Sequence, residues 1–271
     1  MKHKGLIVDR FPKQQSTTGP WPDVATARSF LGYLAVYPQA GALPLEVTAM
    51  ATRGLSLWLT GQDLGPLTYA AFGTTWPELT GQLQHDAYSA MAEMSLRIRN
   101  VQEITAALAE MGIEVLWLKG VALAQTIYPE TWLRTMSDVD VWLAGDTMEA
   151  AVTILHARGY RMHTGRRERP LLLQQMAQGE IKLTRPGEYP QLVELHWGPL
   201  AGWWIKRTTR VDSAAMWRRK EPLPEISGGF QLEVNDMVLQ VAVHLAVSHQ
   251  FQAGAVRGLV DVARLAQKRG V

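Results

Sequence analysis

The sequence predicts an α+β protein: a small mixed β-sheet with a helical segment before it and further helices after it. Three observations predict this. Up to Gly112, apolar residues recur every three or four positions. From Ile113 to about residue 200, short apolar runs alternate with short helical stretches. Beyond that, Val234 to Val247 and Val256 to Lys268 again have helical spacing. The chain divides accordingly into a tail (1–22), a helical region (23–112), an α/β core (113–200) and a C-terminal helical region (201–271).

Taken in order, residues 1–22 are rich in Lys, Gln, Thr, Gly and Pro and read as a loosely docked arm. Asp23 is placed to cap a helix over Ala25 to Val36. Pro38 to Pro44 reads as a linker, and Leu45 to Leu59 and Leu67 to Phe72 as two more helices. From Thr80 to Met111, the apolar series Ala87, Met91, Met94, Ile98, Val101, Ile104, Leu108 predicts one long helix stopped by Gly112. Ile113 to Leu118 is a strand, Val121 to Ile127 a helix and Asp138 to Leu143 a second strand. Asp146 is placed to cap a helix to Ala157, and Tyr160 to His163 opens a third strand. Arg166 to Pro170 forms a basic loop, and Ile181 to Thr184 and Leu192 to Trp197 form a hairpin through Arg185–Pro190. Residues 210–218 read as helical, and Gly228–Gly229 as a break.

Composition bounds the function. With 47% hydrophobic and 19% charged residues in 271, the chain can bury a core. A net charge of +2 gives no global polycation, so nucleic-acid binding would rest on local clusters such as Arg166, Arg167 and Arg169 or Arg218, Arg219 and Lys220. Such runs are more often solvated faces. The absence of cysteine removes thiolate chemistry and cysteine–zinc sites, and accords with a cytoplasmic protein. No apolar stretch reaches the ~18 residues of a membrane span.

The chemistry concentrates at Asp138-Val139-Asp140. In a strand, side chains alternate, so both carboxylates project to one side while Val139 and Val141 face a core. Two acids so close repel each other, and a hard divalent cation with oxygen ligands, Mg²⁺ or Mn²⁺, answers that repulsion. The spacing alone also fits two solvated surface acids. Three neighbours favour the site. Lys119-Gly120 closes a strand just before a helix, where backbone N–H groups can approach a phosphate. Arg134 precedes the acids in a loop, where its guanidinium can hold phosphate. Glu194 stands between Val193 and Leu195 and either faces solvent or completes a three-carboxylate site with Asp138 and Asp140. By alternation His196 shares the face of Glu194. Trp203-Trp204 is read first as packing and second as a stacking surface.

These residues resemble the nucleotidyltransferase superfamily that includes DNA polymerase β and kanamycin nucleotidyltransferase, and within it a little-characterised bacterial branch. The resemblance runs through Leu118-Lys119-Gly120, Tyr128-Pro129, Arg134, Ser137-Asp138-Val139-Asp140, Gly159-Tyr160 and Glu194-Leu195-His196-Trp197, about residues 85–200. It implies a nucleotidyltransferase core and transfer of a nucleoside monophosphate from an NTP to an acceptor hydroxyl. It makes Asp138, Asp140 and Glu194 the ligands of Mg²⁺ or Mn²⁺, with Glu194 orienting or deprotonating the acceptor. Lys119, Gly120, Arg134, Ser137 and His196 would border the nucleotide. Where the wider superfamily has a serine after the phosphate-turn glycine, this chain has Val121.

The acceptor is left open among a small molecule, a peptide or protein hydroxyl and, last, an RNA end. Alternatives are a degenerate member that binds a nucleotide or partner without turnover and, further off, an Asp-x-Asp glycosyltransferase. That last fold needs an α/β half before the motif, where this chain is helical. If metal-free acids repel, asparagine at Asp138 or Asp140 is expected to leave the fold as stable or more so.

Overall fold

The computed structural model describes residues 24–38, 52–73, 75–163, 170–177, 179–200, 205, 208–248 and 255–270. The expected tail, the Asp23 cap, most of the linker, Arg166, Arg167, Arg169, Trp203 and Trp204 lie outside them.

Three helices open the described chain: α1 (Val24–Val36), α2 (Thr52–Gly61) and α3 (Gly65–Phe72). The long helix α4 runs Pro77–Ala109. Pro77 suits the first turn because it has no N–H to leave unpaired, and Glu78 meets the positive helix end. Leu79, Leu83, Ala87, Ala90, Met94, Val101, Ile104 and Leu108 form its buried stripe. Gly112, at φ +70°, reverses the chain as only glycine does cheaply.

The sheet follows. Strand β1 (Val115–Trp117) leads into α5 (Lys119–Thr126) and then β2 (Val139–Trp142). A 3-10 turn at Gly145–Thr147 holds Asp146, so Thr147 and not Asp146 flanks α6 (Met148–Ala157). Next come β3 (Arg161–Met162), α7 (Leu171–Ala177), β4 (Glu180–Arg185) and β5 (Gln191–His196). The C-terminal part adds α8 (Ser213–Arg218), β6 (Glu221–Pro222), β7 (Gly229–Gln231), α9 (Val234–Val247) and α10 (Val256–Arg269). The sheet order is β3-β4-β5-β2-β1-β7-β6. The β2–β5 and β1–β7 pairs are parallel and the others antiparallel. The protein is thus α+β with a mixed sheet. Among the described residues, no helix is long and apolar enough to cross a membrane.

Two elements differ from the sequence reading. Gly228–Gly229 was expected to break the chain. Instead Gly228 turns it at φ +78°, and Gly229 begins a strand that pairs with β1, so the sheet draws on the chain beyond residue 200. A Cβ on Gly229 would meet Ile226 at 3.0 Å. Helix α7, just after the basic loop, was not assigned from the sequence; its exposed Leu172, Leu173 and Met176 give no core-facing period.

Two cores sandwich the sheet. Val115, Trp117, Val139, Val141, Val193 and Leu195 pack with Val101, Ile104 and Leu108 of α4 and with Leu155 of α6. Leu116, Leu118 and Trp142 point to the other face, into a cluster with α1–α3, the first part of α4, α9 and α10. Leu116, Leu118, Val139, Val141, Val193 and Leu195, which the strand pattern was expected to turn inward, are all buried, but on two faces: β1 is covered on both.

Candidate functional site

Strand alternation sorts the polar residues. Val139 and Val141 enter one core, so Asp140 turns to the opposite face. Register then brings partners beside it: Asp140 sits opposite Glu194, Glu194 opposite Lys182, Trp142 opposite His196 and His196 opposite Glu180. Three adjacent strands thus carry the row Asp140, Glu194, Lys182 across one sheet face.

These residues touch. Lys119 Nζ and His196 Nε2 each donate to Asp140 Oδ1 at 2.8 Å. Lys182 Nζ donates to Glu194 Oε1 and lies 3.0 Å from Glu180 Oε1. Ligating atoms of Asp140, Glu194 and His196 all lie within 4.8 Å of one another. Both donors on Asp140 use Oδ1, and the lysine on Glu194 uses Oε1. Asp140 Oδ2 and Glu194 Oε2 accept no hydrogen bond among the described residues. His196 is fully buried, its Nδ1 without a hydrogen-bond partner and 3.8 Å from Glu180 Oε2.

The electrostatics follow from these contacts. Burial alone would raise Asp140, but Lys119 and His196 outweigh it and hold the carboxyl well below the usual range. Burial likewise opposes the charge on Lys119, yet Asp140 keeps that ammonium ionised. Glu194 moves the other way, pushed up by burial and then by the charges of Asp140 and Glu180, with Lys182 only partly compensating. A buried pair of acids with opposite shifts is a common arrangement in catalytic sites. Lys119 carries a second mark: φ +40°, a strained conformation for a non-glycine residue, at the junction of β1 and α5.

A cavity of about 340 Å³ lies over this row. Its wall includes Lys119, Gly120, Arg134, Ser137, Asp138, Asp140, Lys182 and Glu194 together with Gln240 of α9 and Arg257 of α10. The residues singled out in the sequence therefore share one cavity, except His196, which is buried behind Asp140. Asp138 is half-buried on the wall, outside the 4.8 Å group, with Ser137 Oγ 3.5 Å from its Oδ1. Arg97 of α4 fastens this loop by donating to Ser137 O at 2.8 Å.

As a loop residue Arg134 was expected to have little packing to lose, and the structure corrects this. Arg134 is buried and grips Asp261 of α10, Nη2 to Oδ2 at 3.0 Å and Nε to Oδ1 at 3.5 Å. Tyr128 also donates to Asp261 Oδ1, at 2.8 Å. Gly120 is occupied on its side-chain face: a Cβ there would lie 3.0 Å from Arg134 Nη1 and 3.1 Å from Met136 Cβ. Gly120→Ala is therefore expected to cost a net ~1 kcal/mol in urea unfolding, because overpacking (~1–3) outweighs the better helix former (up to ~1). The expectation that metal-free acids repel holds for Glu194, which Asp140 and Glu180 still push up. At Asp140 the ion pair with Lys119 outweighs that repulsion, so asparagine there is expected to remove a net attraction.

Lys182, Gln240, Arg257 and Asp261 escaped the sequence reading. Lys182 had a usable signal: continuing the predicted hairpin register from Arg185–Gln191 places it opposite Glu194. The other three come from helices far along the chain and carry none. Gln240 Oε1 accepts from Lys119 N at 3.3 Å, so a side chain from α9 meets the backbone amide at the proposed phosphate turn.

Comparison with known proteins bears on this geometry. The family described as "Uncharacterised nucleotidyltransferase" matches residues 67–270. The chain belongs to this family. The matched span contains β1 through α10 and every wall residue named above. Among solved structures, the chain is similar to the antibiotic-resistance factor ANT(2'')-Ia at 13% identity and a TM-score of 0.41, over 65% of this chain and 94% of that one. No curated protein matches.

Proposed function

We propose that this nucleotidyltransferase-family protein is a metal-dependent enzyme that moves a nucleoside monophosphate from an NTP to an acceptor hydroxyl and releases pyrophosphate. The observation that carries the reading is the meeting of Asp140, Glu194 and His196 within 4.8 Å, on a cavity that also holds the Lys119–Gly120 turn.

The donor set fits a hard divalent cation such as Mg²⁺ or Mn²⁺. Two buried carboxylates each keep one oxygen without a hydrogen-bond donor among the described residues, and Glu194 carries a charge conflict that a cation relieves. Asp140 and Glu194 would hold it, with Asp138 as the third candidate ligand. His196 would fix Asp140 through its Nε2. Such an ion, when bound, neutralises phosphate charge and acidifies the acceptor hydroxyl. The remaining work falls to the chain. The acceptor oxygen bonds to the α-phosphorus, the bond to pyrophosphate breaks, and Glu194 takes the acceptor proton. Lys119 supplies a fixed positive charge beside the phosphates.

The test is incubation with each labelled NTP and Mg²⁺ or Mn²⁺, with and without cell extract, followed by mass spectrometry. The expected result is a nucleotidylated species and pyrophosphate. Metal-dependent nucleotide binding without pyrophosphate selects the second reading, a binding member without turnover. Val121 in place of a serine, and the lysines already seated on both acids, favour that reading. Either way, Mn²⁺ at a hundred times its Kd is expected to add about 2.7 kcal/mol of stability, seen as a raised Tm that a chelator reverses. A Tm indifferent to Mn²⁺ and Mg²⁺ counts against any metal at this site.

A further inference from the structure

We propose that Arg257, at the start of α10, is the guanidinium that holds the polyphosphate of the nucleotide in this cavity. The inference rests on the nucleotide reading above and assigns a contact that the reading leaves open. The sequence offered Arg134 for this task, but Arg134 spends its charge on buried Asp261. Arg257, one turn before Asp261, lines this cavity and also the adjoining one that Asp63 and Thr135 line, and its Nη1 donates to Thr135 Oγ1 at 3.2 Å, next to Arg134 and Met136, which pack on Gly120.

Three features make Arg257 available. Its counter-ion is weak: Asp63 Oδ2 lies 2.9 Å from Nη1, but that carboxylate is 56% exposed. Nε and Nη2 make no hydrogen bond among the described residues, which leaves one edge of the planar fork for phosphate oxygens. Arg257 also faces a like charge. Burial and then the neighbouring Arg134 destabilise its cation, and an anion between the two relieves both. The backbone around it is set for close approach. The first turn of α10 has no side-chain cap, and Gly258 lets that turn lie against Leu245 of α9, where a Cβ would come within 2.3 Å of Cδ2.

The probe is inorganic tripolyphosphate, titrated calorimetrically into the full chain without divalent metal, with inorganic phosphate as the comparison. The expected results are at least tenfold tighter binding of tripolyphosphate than of phosphate, a tenfold or greater loss in Arg257→Gln, and an intermediate value in Arg257→Lys. Asp63→Asn should act in the opposite direction. Asparagine tolerates the φ of +55° at that position and frees the guanidinium, so tripolyphosphate should bind about threefold tighter. This second variant keeps the test decisive if Arg257→Gln does not fold. Unchanged affinity in Arg257→Gln, equal affinity for phosphate and tripolyphosphate, or no gain in Asp63→Asn overturns the proposal. Turnover in the labelled-NTP assay alongside any of these results means that Arg257 fails while the enzyme reading stands. No tripolyphosphate binding and no turnover removes both.

Discussion

Asp261→Ala is expected to lower folding stability by about 3–5 kcal/mol, measured by urea unfolding. Asp261 is 1% exposed, and it takes the Nε/Nη2 edge of Arg134 and the hydroxyl of Tyr128. Truncating it strands a buried guanidinium and a buried phenol together. Burial, the largest cause that holds Tyr128 well above the usual tyrosine range, persists in the variant and opposes ionisation of its hydroxyl. Arg134→Ala should cost a similar amount, since it leaves the buried carboxylate with the Tyr128 hydroxyl but no paired cation. The two losses should be strongly non-additive, because the double variant removes both halves of one pair. The contact also ties α10 to the loop before the acids, so its loss should open the cavity from the Arg257 side. A loss below 1 kcal/mol in either single variant would mean that water replaces the pair and that Arg134 is free for phosphate after all.

That network shows where the sequence stops being legible. The acids were readable because strand alternation is local: Val139 and Val141 demand a core, and Asp140 then has one direction to go. Glu194 was readable for the same reason, and the hairpin into β5 gave its register. Its meeting with Asp140 across the parallel β2–β5 pair was expected from the family resemblance and not from local pattern, because parallel register is set by tertiary packing and not by a turn. Arg134 was misread because its partner lies 127 positions later, on a helix whose sequence shows only an amphipathic period. Strand β7 was missed for a related reason. Three residues beginning with glycine carry no alternation, and only the open edge of β1 makes them a strand. The lysines on the acids matter most for function. The sequence showed a cluster of negative charge, whereas the fold delivers one already neutralised by Lys119 and Lys182.

Asp140→Asn tests that last point, and its two effects should separate. Nucleotide transfer should fall at least about a hundredfold, because the amide is a poor ligand for a hard cation and removes charge from the site. The stabilisation by Mn²⁺ should disappear with it. Independently, the metal-free protein should lose about 3–5 kcal/mol, since Lys119, 17% exposed, is left facing a neutral amide beside strained backbone. His196 can keep a hydrogen bond to the amide oxygen, so Lys119 accounts for most of the loss. A second substitution distinguishes the two effects. Lys119→Met added to Asp140→Asn removes the uncompensated ammonium and should recover most of the lost stability, measured by urea unfolding, while transfer stays at background. Recovery of stability without activity marks the ion pair as the structural half of Asp140 and metal binding as the chemical half. If the single variant is as stable as the parent, the Lys119–Asp140 contact contributes nothing in the metal-free protein, and repulsion between the acids governs the site. If the single variant keeps full transfer activity, Asp140 is no metal ligand and the proposed reaction centre is elsewhere.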